Sequence, residues 1–369
     1  MEQRGYLPRN KKKWENRMKK VLVALSGGVD SSVAAALLVE QGYEVVGATM
    51  RLWSASGAEQ ENRCCTPDSR SLAARLADKL SIPFTILDET ETFRKIVVQQ
   101  FLDGYARGET PNPCATCNRF LKWGVLWDYA KSIGADYLAT GHYARVLAGP
   151  EGLFELYKGK DPGKDQTYFL SMLTQEQLAH TLFPLGELLK TDVRGIAHAR
   201  GLPAADQPES QDLCFLGERD YRDFLAEYAP ETVQPGPITD RSGKLLGQHQ
   251  GLAFYTIGQR KGLPAAAQAL YVWQKDIPNN RLVVCPAEEL GASTLRVEQL
   301  NWISGAAPTD EFQAEVKIRF RAIPANGLVI PQPNGSALVR FQKPIRDITP
   351  GQLAVFYLGE QVLGGGWIA

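Results

Sequence analysis

Cysteines in two polar segments are the side chains of this chain that are best suited to act as nucleophiles. Cys114 and Cys117 belong to Pro-Asn-Pro-Cys-Ala-Thr-Cys-Asn, and Cys214 ends the segment Glu-Ser-Gln-Asp-Leu-Cys. We expect the first pair on a tight loop in front of a helix, whose N-terminus stabilises a thiolate and so increases its nucleophilicity. The same residues are compatible with a metal clip or a redox pair, and Cys214 with a buried structural thiol.

A segment rich in glycine and serine has the composition of a phosphate-binding loop. Ser26-Gly-Gly-Val-Asp-Ser-Ser follows a strand-like run and opens a helix-like one, so backbone N–H groups and a helix N-terminus would meet an anion there. The segment lacks the lysine of a Walker P-loop, which fits a site that holds the pyrophosphate leaving group while adenylate is transferred. Asp30 is either a helix cap or, as we favour, an organiser of Mg²⁺ or phosphate.

The elements that must position these residues alternate between strands and helices in the first half of the chain. The predicted strands are Lys20–Leu25, Tyr43–Met50, Phe84–Leu87 and Tyr137–Thr140, and the predicted helices are Ser31–Gln41, Ser69–Leu80, Thr92–Tyr105 and Leu121–Ile133. This alternation predicts an α/β fold with a doubly wound parallel sheet. Ligands of such sheets bind at the carboxyl ends of the strands.

Beyond about residue 220 glycine and proline become frequent and short β runs follow one another. These runs are Leu270–Trp273, Leu282–Cys285, Glu315–Phe320, Ala337–Phe341 and Leu353–Tyr357. Their spacing predicts a small central domain followed by a C-terminal β-barrel. We therefore divide the chain into a basic N-terminal arm (1–19), a nucleotide-binding catalytic domain (20–222), a central linker domain (223–290) and the barrel (291–369).

Composition and charge exclude several classes of protein. The 369 residues are 44% hydrophobic and carry 41 Lys and Arg against 41 Asp and Glu, as expected for a globular protein of two or three domains. No apolar run approaches the roughly 18 residues of a membrane helix, and no export signal follows the basic start, so we expect a cytoplasmic protein. Six cysteines are too few for a disulfide scaffold; we interpret Cys64, Cys65 and Cys285 as local or core structure.

A nucleic-acid partner would have to meet local basic patches, because the net charge is zero. Alternation with period two over Glu315–Arg321 predicts a barrel strand with Lys317, Arg319 and Arg321 on one face, where they would meet phosphates. An ordinary amphipathic strand is the alternative interpretation. The run Gln259-Arg-Lys adds a second basic spot in the central domain.

Several longer motifs accompany these segments. In chain order they include Thr140-Gly-His-Tyr, Lys164-Asp-Gln-x-Tyr-Phe, Gly247-x-His-x-Gly, Gly258-Gln-Arg-Lys-Gly and Thr349-Pro-Gly-Gln-x-Ala-Val-Phe-Tyr. Together with the loop and the cysteine segments, they resemble the bacterial tRNA-specific 2-thiouridylases of the PP-loop ATP pyrophosphatase superfamily. The resemblance extends from about residue 20 to 366. It implies a PP-loop domain of the adenine nucleotide alpha hydrolase type.

The resemblance implies ATP-dependent 2-thiolation of the wobble uridine of tRNA, in the tRNAs for Lys, Glu and Gln. Adenylation of uracil O2 would be followed by attack of a persulfide sulfur and release of AMP. By resemblance Cys117 is the nucleophile and Cys214 carries the persulfide, and these two thiols can close a disulfide. Asp30 is the third catalytic residue and would organise Mg²⁺. The implied nucleotide contacts are Ala24, Leu25, Ser26, Gly27, Gly28, Val29, Asp30, Ser31, Met50 and Gly141.

The resemblance further implies a tRNA anticodon stem-loop as partner, with neither DNA nor membrane, and a sulfur-relay protein as persulfide donor. A target base everted from its stack would reach the loop before Cys117. The implied tRNA contacts are Asn112, Pro113, Cys114, His142, Lys164, Asp165, Gln166, Arg319, Phe320 and Gln352. For His142 and for the segment from Lys164 to Gln166, the alternatives are a packed histidine and a solvated turn.

One position departs from the family pattern, because many members have Asp where this chain has Cys114. The general acid or base is therefore open. Cys114, Cys117 and Cys214 could instead hold a [4Fe–4S] cluster, and a zinc ion bound with Cys64 and Cys65 is a weaker alternative. Two other functions stay open as well: another PP-loop adenylating ligase, and a non-catalytic RNA-binding module.

Overall fold

A computed structural model describes residues 18–55, 67–208, 213–217 and 219–369. Most of the predicted basic arm, the pair Cys64 and Cys65, and the polar residues 209–212 in front of Cys214 lie outside the described residues. Within the described part of the chain, no helix combines the length and apolarity that a membrane span requires.

Five parallel strands form the first sheet, which confirms the predicted α/β fold. The first seven strands of the chain are β1 (Lys20–Ala24), β2 (Glu44–Arg51), β3 (Phe84–Asp88), β4 (Tyr137–Ala139), β5 (Ala144–Ala148), β6 (Phe154–Lys158) and β7 (Thr181–Leu182). The sheet order is β3-β2-β1-β4-β7. β1 therefore lies in the centre, and the chain reverses its direction of growth between β1 and β4. Such a switch point is where ligands of open α/β sheets bind.

Helices cover both faces of this sheet. They are α1 (Val29–Glu40), α2 (Pro67–Leu80), α3 (Thr90–Phe93), α4 (Gln99–Ala106), α5 (Pro113–Cys117), α6 (Trp127–Ser132), α7 (Thr167–Leu170), α8 (Gln175–Ala179), α9 (Lys190–Ala199) and α10 (Tyr221–Tyr228). Val21 and Val23 of β1 pack into one hydrophobic cluster with α1 and α9. Leu22 points to the other face and packs into a second cluster that contains Trp123 and Trp127. The alternation of side chains along one buried strand thus explains the two layers.

Two π-helical segments, Arg94–Val98 and Asn118–Leu126, interrupt the helices around α4 and α5. The second is nine residues long and follows directly on Cys117. π-helical turns are rare and frequently accompany functional sites. The sequence pattern predicts only continuous helices here.

A four-stranded sheet follows the catalytic domain. Its strands are β8 (Gly236–Thr239), β9 (Leu245–His249), β10 (Leu270–Asp276) and β11 (Arg281–Pro286), in the order β10-β11-β8-β9. Val272, Leu282 and Val284 are fully buried between this sheet and the short helical turn Leu252–Phe254. Cys285 is buried on β11, which confirms its interpretation as a core residue.

Six antiparallel strands then close a barrel, as predicted. They are β12 (Ala292–Trp302), β13 (Phe312–Lys317), β14 (Ala325–Pro331), β15 (Ala337–Ile345), β16 (Leu353–Leu358) and β17 (Gln361–Ile368). The order is β12-β15-β14-β13-β16-β17, and β12 pairs with β17 to complete the ring. The predicted strand over Glu315–Phe320 is wrong at its end, because β13 stops at Lys317 and residues 319 and 320 lie in a bend and a turn. The three-cation strand face therefore does not form.

The barrel is joined to the catalytic domain by shared strands. The hairpin of β5 and β6 belongs to the first part of the chain, yet β6 pairs antiparallel with β17 through Leu156 opposite Val362 and Tyr157 opposite Gln361. The barrel sheet is thereby extended to eight strands. This pairing fixes the barrel against the segment that follows β4, next to the switch point.

The barrel core gives a stability prediction. Phe356 on β16 is fully buried and stacks on Trp302 at 5.6 Å between ring centroids. We expect Phe356→Ala to lower the free energy of unfolding by about 3–5 kcal/mol, because a buried aromatic ring is lost and a cavity is left. The matched control is Leu358→Ala on the same strand, whose side chain is exposed and whose loss should cost less than about 0.5 kcal/mol. Equal effects in chemical denaturation would contradict this description of the barrel.

Candidate active site

The predicted phosphate-binding loop connects β1 to α1. Gly27 has a φ of +74°, and a Cβ there would lie 2.3 Å from the carbonyl oxygen of Ser69, so only glycine fits. The hydroxyl of Ser31 accepts a hydrogen bond from the Ser26 amide (3.2 Å) and donates one to the Gly28 carbonyl (3.1 Å). The loop is thus held by its own serines. Among the described residues no side chain caps the first turn of α1, which leaves its amides oriented toward an anion.

Met50 and Gly141 flank this loop because their strands flank β1. Ala24 of β1 is in register with Ala48 of β2, and Val23 with Ala139 of β4, so both residues fall at the level of the loop. A Cβ on Gly141 would lie 2.7 Å from the backbone of Asp30 and Ser31. The two predicted nucleotide-contact residues and the loop therefore share one edge of the sheet.

Asp30 forms an ion pair with Lys190 that the sequence does not predict. Both of its carboxylate oxygens accept hydrogen bonds from the Lys190 ammonium, at 2.7 and 2.8 Å, and the Tyr143 hydroxyl donates to one of them at 2.8 Å. Asp30 is the second residue of α1 and does not cap it. Lys190, the first residue of α9, thus places beside the phosphate loop the ammonium group that the loop itself lacks. Tyr143 belongs to a recognised motif, whereas nothing local to Lys190 distinguishes it from a surface lysine.

The first cysteine pair lies in a helix and not on the loop that we expected. Asn112 caps α5 by accepting a hydrogen bond from the Ala115 amide (3.2 Å), and Pro113 occupies the first position. Cys114 is exposed in the first turn, and Cys117 is partly buried at the end of α5, where the π-helical segment begins. Proline cannot follow a helical residue easily but fits the first turn, which explains why the helix begins where it does.

Cys214 lies in a short turn that is hydrogen-bonded to the segment following β2. The Ala55 amide donates to the carbonyl of Phe215 at 3.1 Å. The Phe215 ring packs edge-on against Phe101 of α4 and Phe224 of α10, at 5.3 and 5.5 Å between centroids. The turn is therefore positioned by an aromatic cluster rather than by secondary structure.

An aromatic cluster centred on Phe93, Phe101, Phe215 and Phe224 is contacted by three of the predicted chemical residues. Cys117, Cys214 and Met50 all pack against it as partly buried neighbours. Met50 also belongs to the nucleotide edge of the sheet. The two thiols of distant segments therefore share one hydrophobic cluster with a residue of the predicted nucleotide pocket.

Several predicted tRNA contacts have inward roles in this structure. His142 is buried between Trp123 and Phe183, its Nδ1 is 2.7 Å from the Thr140 hydroxyl, and burial holds its pKa well below the usual range. His142 is thus a packed histidine in this structure, and its predicted contact with tRNA stays a prediction. The Asp165 carboxylate is also buried and accepts three hydrogen bonds, from the Gly159 amide and from the amide and hydroxyl of Thr167.

Gln166 likewise uses its side chain on the protein itself. The side-chain Oε1 of Gln166 accepts a hydrogen bond from the Tyr143 backbone amide at 3.0 Å, and the Gln166 backbone amide donates one to the Tyr143 carbonyl at 3.1 Å. The segment from Lys164 to Gln166 is therefore not a solvated turn but a support for Tyr143. Lys164 is partly exposed, and its predicted contact with tRNA stays a prediction.

Three further predicted tRNA contacts form a junction between the barrel and the other two parts of the chain. The Arg319 guanidinium donates to the carbonyl of Ile257 and to the Thr349 hydroxyl. The Gln352 amide donates to the carbonyl of Thr110 at 2.8 Å. The Phe320 ring lies 4.5 Å from the Phe169 ring. Gln352 thereby holds the segment that leads into Asn112, whereas Arg319 joins the barrel to the central domain and Phe320 joins it to α7.

No metal centre is assembled by the described residues. Among them no group of three or more His, Cys, Asp or Glu side chains is arranged to hold a metal ion. Cys114, Cys117 and Cys214 are all described, so in this conformation they do not form the ligand set of an iron–sulfur cluster. The zinc alternative involves Cys64 and Cys65, which lie outside the described residues.

A phosphate loop at the switch point of a five-stranded parallel sheet defines the first part of the chain as a nucleotide-binding α/β domain. Comparison with domain families agrees. The family described as "tRNA methyl transferase HUP domain" matches residues 19–218, the "tRNA methyl transferase PRC-barrel domain" matches 222–286, and the "Aminomethyltransferase beta-barrel domain" matches 292–368.

Relatives over the full length are named for thiolation and not for methyl transfer. The tRNA-specific 2-thiouridylase MnmA of Magnetococcus marinus is 47% identical over 95% of this chain and 98% of its own length. Those of Natranaerobius thermophilus and Geobacter metallireducens are each 46% identical, over 95% and 96% of this chain and 97% and 98% of their own lengths. The chain belongs to the tRNA-specific 2-thiouridylase family.

Solved structures resemble this chain more weakly. A 4-thiouridine synthetase in complex with RNA and bound ATP has a TM-score of 0.34 and 14% identity, and the similarity covers 58% of this chain and 51% of that chain.

A partly buried lysine at the junction leads to a prediction about the pH dependence of stability. Lys275 donates to the carbonyl of Glu109 at 3.3 Å, and burial lowers its pKa to about 8. An unfolded chain keeps this lysine protonated up to about pH 10.4, so between those values the unfolded state binds a proton that the folded state does not. The free energy of unfolding should therefore rise from pH 8 to 10. Lys275→Met should remove this rise in denaturant titrations, and an identical pH profile for both proteins would contradict it.

Proposed function

We propose that this chain replaces the C2 oxygen of the wobble uridine of tRNA by sulfur at the expense of ATP, as the names of its relatives suggest. The observation that carries the proposal is the packing of Met50, Cys117 and Cys214 against one aromatic cluster. Activation by a nucleotide and delivery of sulfur by a thiol need to occur at the same base. A shared cluster at the nucleotide edge of the sheet supports that requirement.

ATP would bind with its phosphates on the loop from Ser26 to Ser32 and its adenosine between Met50 and Gly141. The uracil O2 attacks the α-phosphate, pyrophosphate leaves, and the base becomes an O-adenylated electrophile. The uncapped amides of α1 stabilise the charge of the departing pyrophosphate. The carbonyl carbon of uracil is otherwise a poor electrophile, so this step makes C2 open to attack.

Sulfur would then be delivered by a persulfide on Cys214. Its terminal sulfur attacks C2, and AMP leaves with the former O2. The Cys117 thiolate attacks the Sγ of Cys214, which breaks the persulfide bond and closes a Cys117–Cys214 disulfide. The two thiols thereby supply the two electrons that convert sulfane sulfur to the thiocarbonyl. A dithiol reductant must reopen the disulfide, and a persulfide-carrying donor protein must reload Cys214.

Metal ions enter this proposal only to a limited extent. Mg²⁺ would neutralise phosphate charge when it binds with ATP, but the Asp30 carboxylate is already engaged on both oxygens by Lys190 and Tyr143. In this conformation Oδ1 of Asp30 accepts two hydrogen bonds and Oδ2 accepts one, so Mg²⁺ would reach this carboxylate through Oδ2. An iron–sulfur cluster has no step in the proposal, because Cys114, Cys117 and Cys214 do not form a metal-binding group in this conformation.

We retain the division at residues 20–222, 223–290 and 291–369 as a proposal, with the barrel and central domain positioning the anticodon stem-loop. Cys114 and Lys164 are partly or fully exposed and stay candidates for direct contact with tRNA. Gln352 would act mainly by holding the segment that leads into Asn112 and Pro113, where the everted uracil is proposed to bind, and Arg319 by joining the barrel to the central domain. The tRNAs for Lys, Glu and Gln are the proposed substrates.

The proposal is tested by incubating the protein with ATP, a persulfide donor and unmodified tRNA, followed by mass spectrometry of the nucleosides. We expect 2-thiouridine at the wobble position, with one AMP released per sulfur incorporated. Cys214→Ser should abolish the 2-thiouridine while tRNA-dependent release of pyrophosphate continues, because activation precedes sulfur transfer.

Cys285→Ala is the matched control, since Cys285 lies in the central sheet away from both thiols. It should retain 2-thiouridine formation. Formation of 2-thiouridine by the Cys214→Ser protein would remove that residue as the sulfur carrier. ATP-dependent adenylation of another acceptor without 2-thiouridine would favour a ligase instead.

A further inference from the structure

The ion pair between Asp30 and Lys190 lies beneath the phosphate loop and has no role in the chemistry described above. The Lys190 ammonium contacts both carboxylate oxygens, its side chain is 10% exposed, and that of Asp30 is 34% exposed. The ammonium also lies 5.8 Å from the centre of the Tyr143 ring, whose hydroxyl donates to Asp30. The cation of this pair is therefore largely enclosed, whereas the carboxylate stays partly exposed.

Both partners are held in place independently of each other. Asp30 is fixed in the first turn of α1, directly after the loop. The backbone amide of Lys190 donates to the Asp161 carboxylate at 2.9 Å, and α9 packs against α1. Tyr143 is fixed through its backbone by Gln166. Such preorganisation means that the ion pair does not need to form at the moment of ligand binding.

A carboxylate in this position opposes the function of the loop. A negative charge in the first turn of α1 lies close to the place where a polyphosphate would bind, and like charges in a partly buried site repel strongly. The bidentate lysine cancels this charge. A Walker loop instead carries its lysine within the loop, whereas here the cation comes from a helix far along the chain.

We propose that Lys190 is a positioning residue that neutralises Asp30 and thereby sets the affinity of the loop for polyphosphate. This inference rests on the proposed use of ATP. It predicts that the cost of losing Lys190 comes from the exposed carboxylate and not from a lost contact with phosphate. Removing the carboxylate as well should therefore restore binding.

The test compares dissociation constants for ATP and for adenosine in four proteins by calorimetry: wild type, Lys190→Met, Asp30→Asn and the double variant. We expect Lys190→Met to raise the Kd for ATP about tenfold or more, with adenosine affinity unchanged because adenosine carries no charge. The double variant should recover most of the ATP affinity that Lys190→Met loses, because the uncompensated carboxylate is gone, and Asp30→Asn alone reports what the carboxylate itself contributes to ATP binding. Lys190→Arg keeps the charge and should bind ATP nearly as the wild type does.

Lys343→Met removes an exposed lysine of the barrel and controls for the general loss of positive charge. Three results would overturn the inference: an unchanged Kd for ATP in Lys190→Met, a double variant as weak as the single one, or a loss of ATP binding in Asp30→Asn. The second result would mean that Lys190 contacts phosphate directly, and the third that Asp30 itself binds the nucleotide or its metal ion. Wild-type protein that binds ATP but forms no 2-thiouridine would refute the proposed function and leave this inference intact.

Discussion

The packing of the aromatic cluster is the interaction on which the rest of the site depends. Phe93 and Phe101 lie on the continuous helical run 90–106, Phe215 in the turn after Cys214 and Phe224 on α10, and each is almost completely buried. The turn that carries Cys214 has no secondary structure of its own and is joined to the segment after β2 by the hydrogen bond from the Ala55 amide to the Phe215 carbonyl. Aromatic rings of this size contribute several kcal/mol each when buried, which is enough to order a turn that has no secondary structure of its own.

A second constraint acts on the segment that leads into the Cys117 helix. Thr110 donates its amide to the carbonyl of Pro350 and accepts from Gln352, both of the barrel, while Lys275 of the central sheet donates to Glu109. The pairing of β6 with β17 fixes the barrel to the catalytic domain close by. All three parts of the chain thus contribute to holding the segment that leads into α5. This arrangement explains why the barrel and central domain are present in a protein whose proposed chemistry lies in the first domain.

The sequence predicts the elements well because their signals are local. The buried run of β1, the glycines of the phosphate loop, and the turn residues between barrel strands each determine structure within a few residues. Contacts between distant segments leave no such signal. Lys190 looks like any helix-start lysine, and the inward orientation of Arg319 and Gln352 depends on the central domain and on the loop at Thr110. The end of β13 at Lys317 was mispredicted because alternation continues through a bend that the tertiary contacts of Arg319 impose.

The central claim is that Cys117 and Cys214 act on one sulfur atom, and disulfide mapping after a single turnover tests it most directly. Protein loaded with persulfide is mixed with ATP and tRNA without reductant, alkylated and digested, and its cross-linked peptides are identified by mass spectrometry. We expect a Cys117–Cys214 disulfide that appears at the same rate as 2-thiouridine and only when ATP is present. Formation of 2-thiouridine with both cysteines still alkylated as thiols, or with Cys214 joined to another partner, would contradict it.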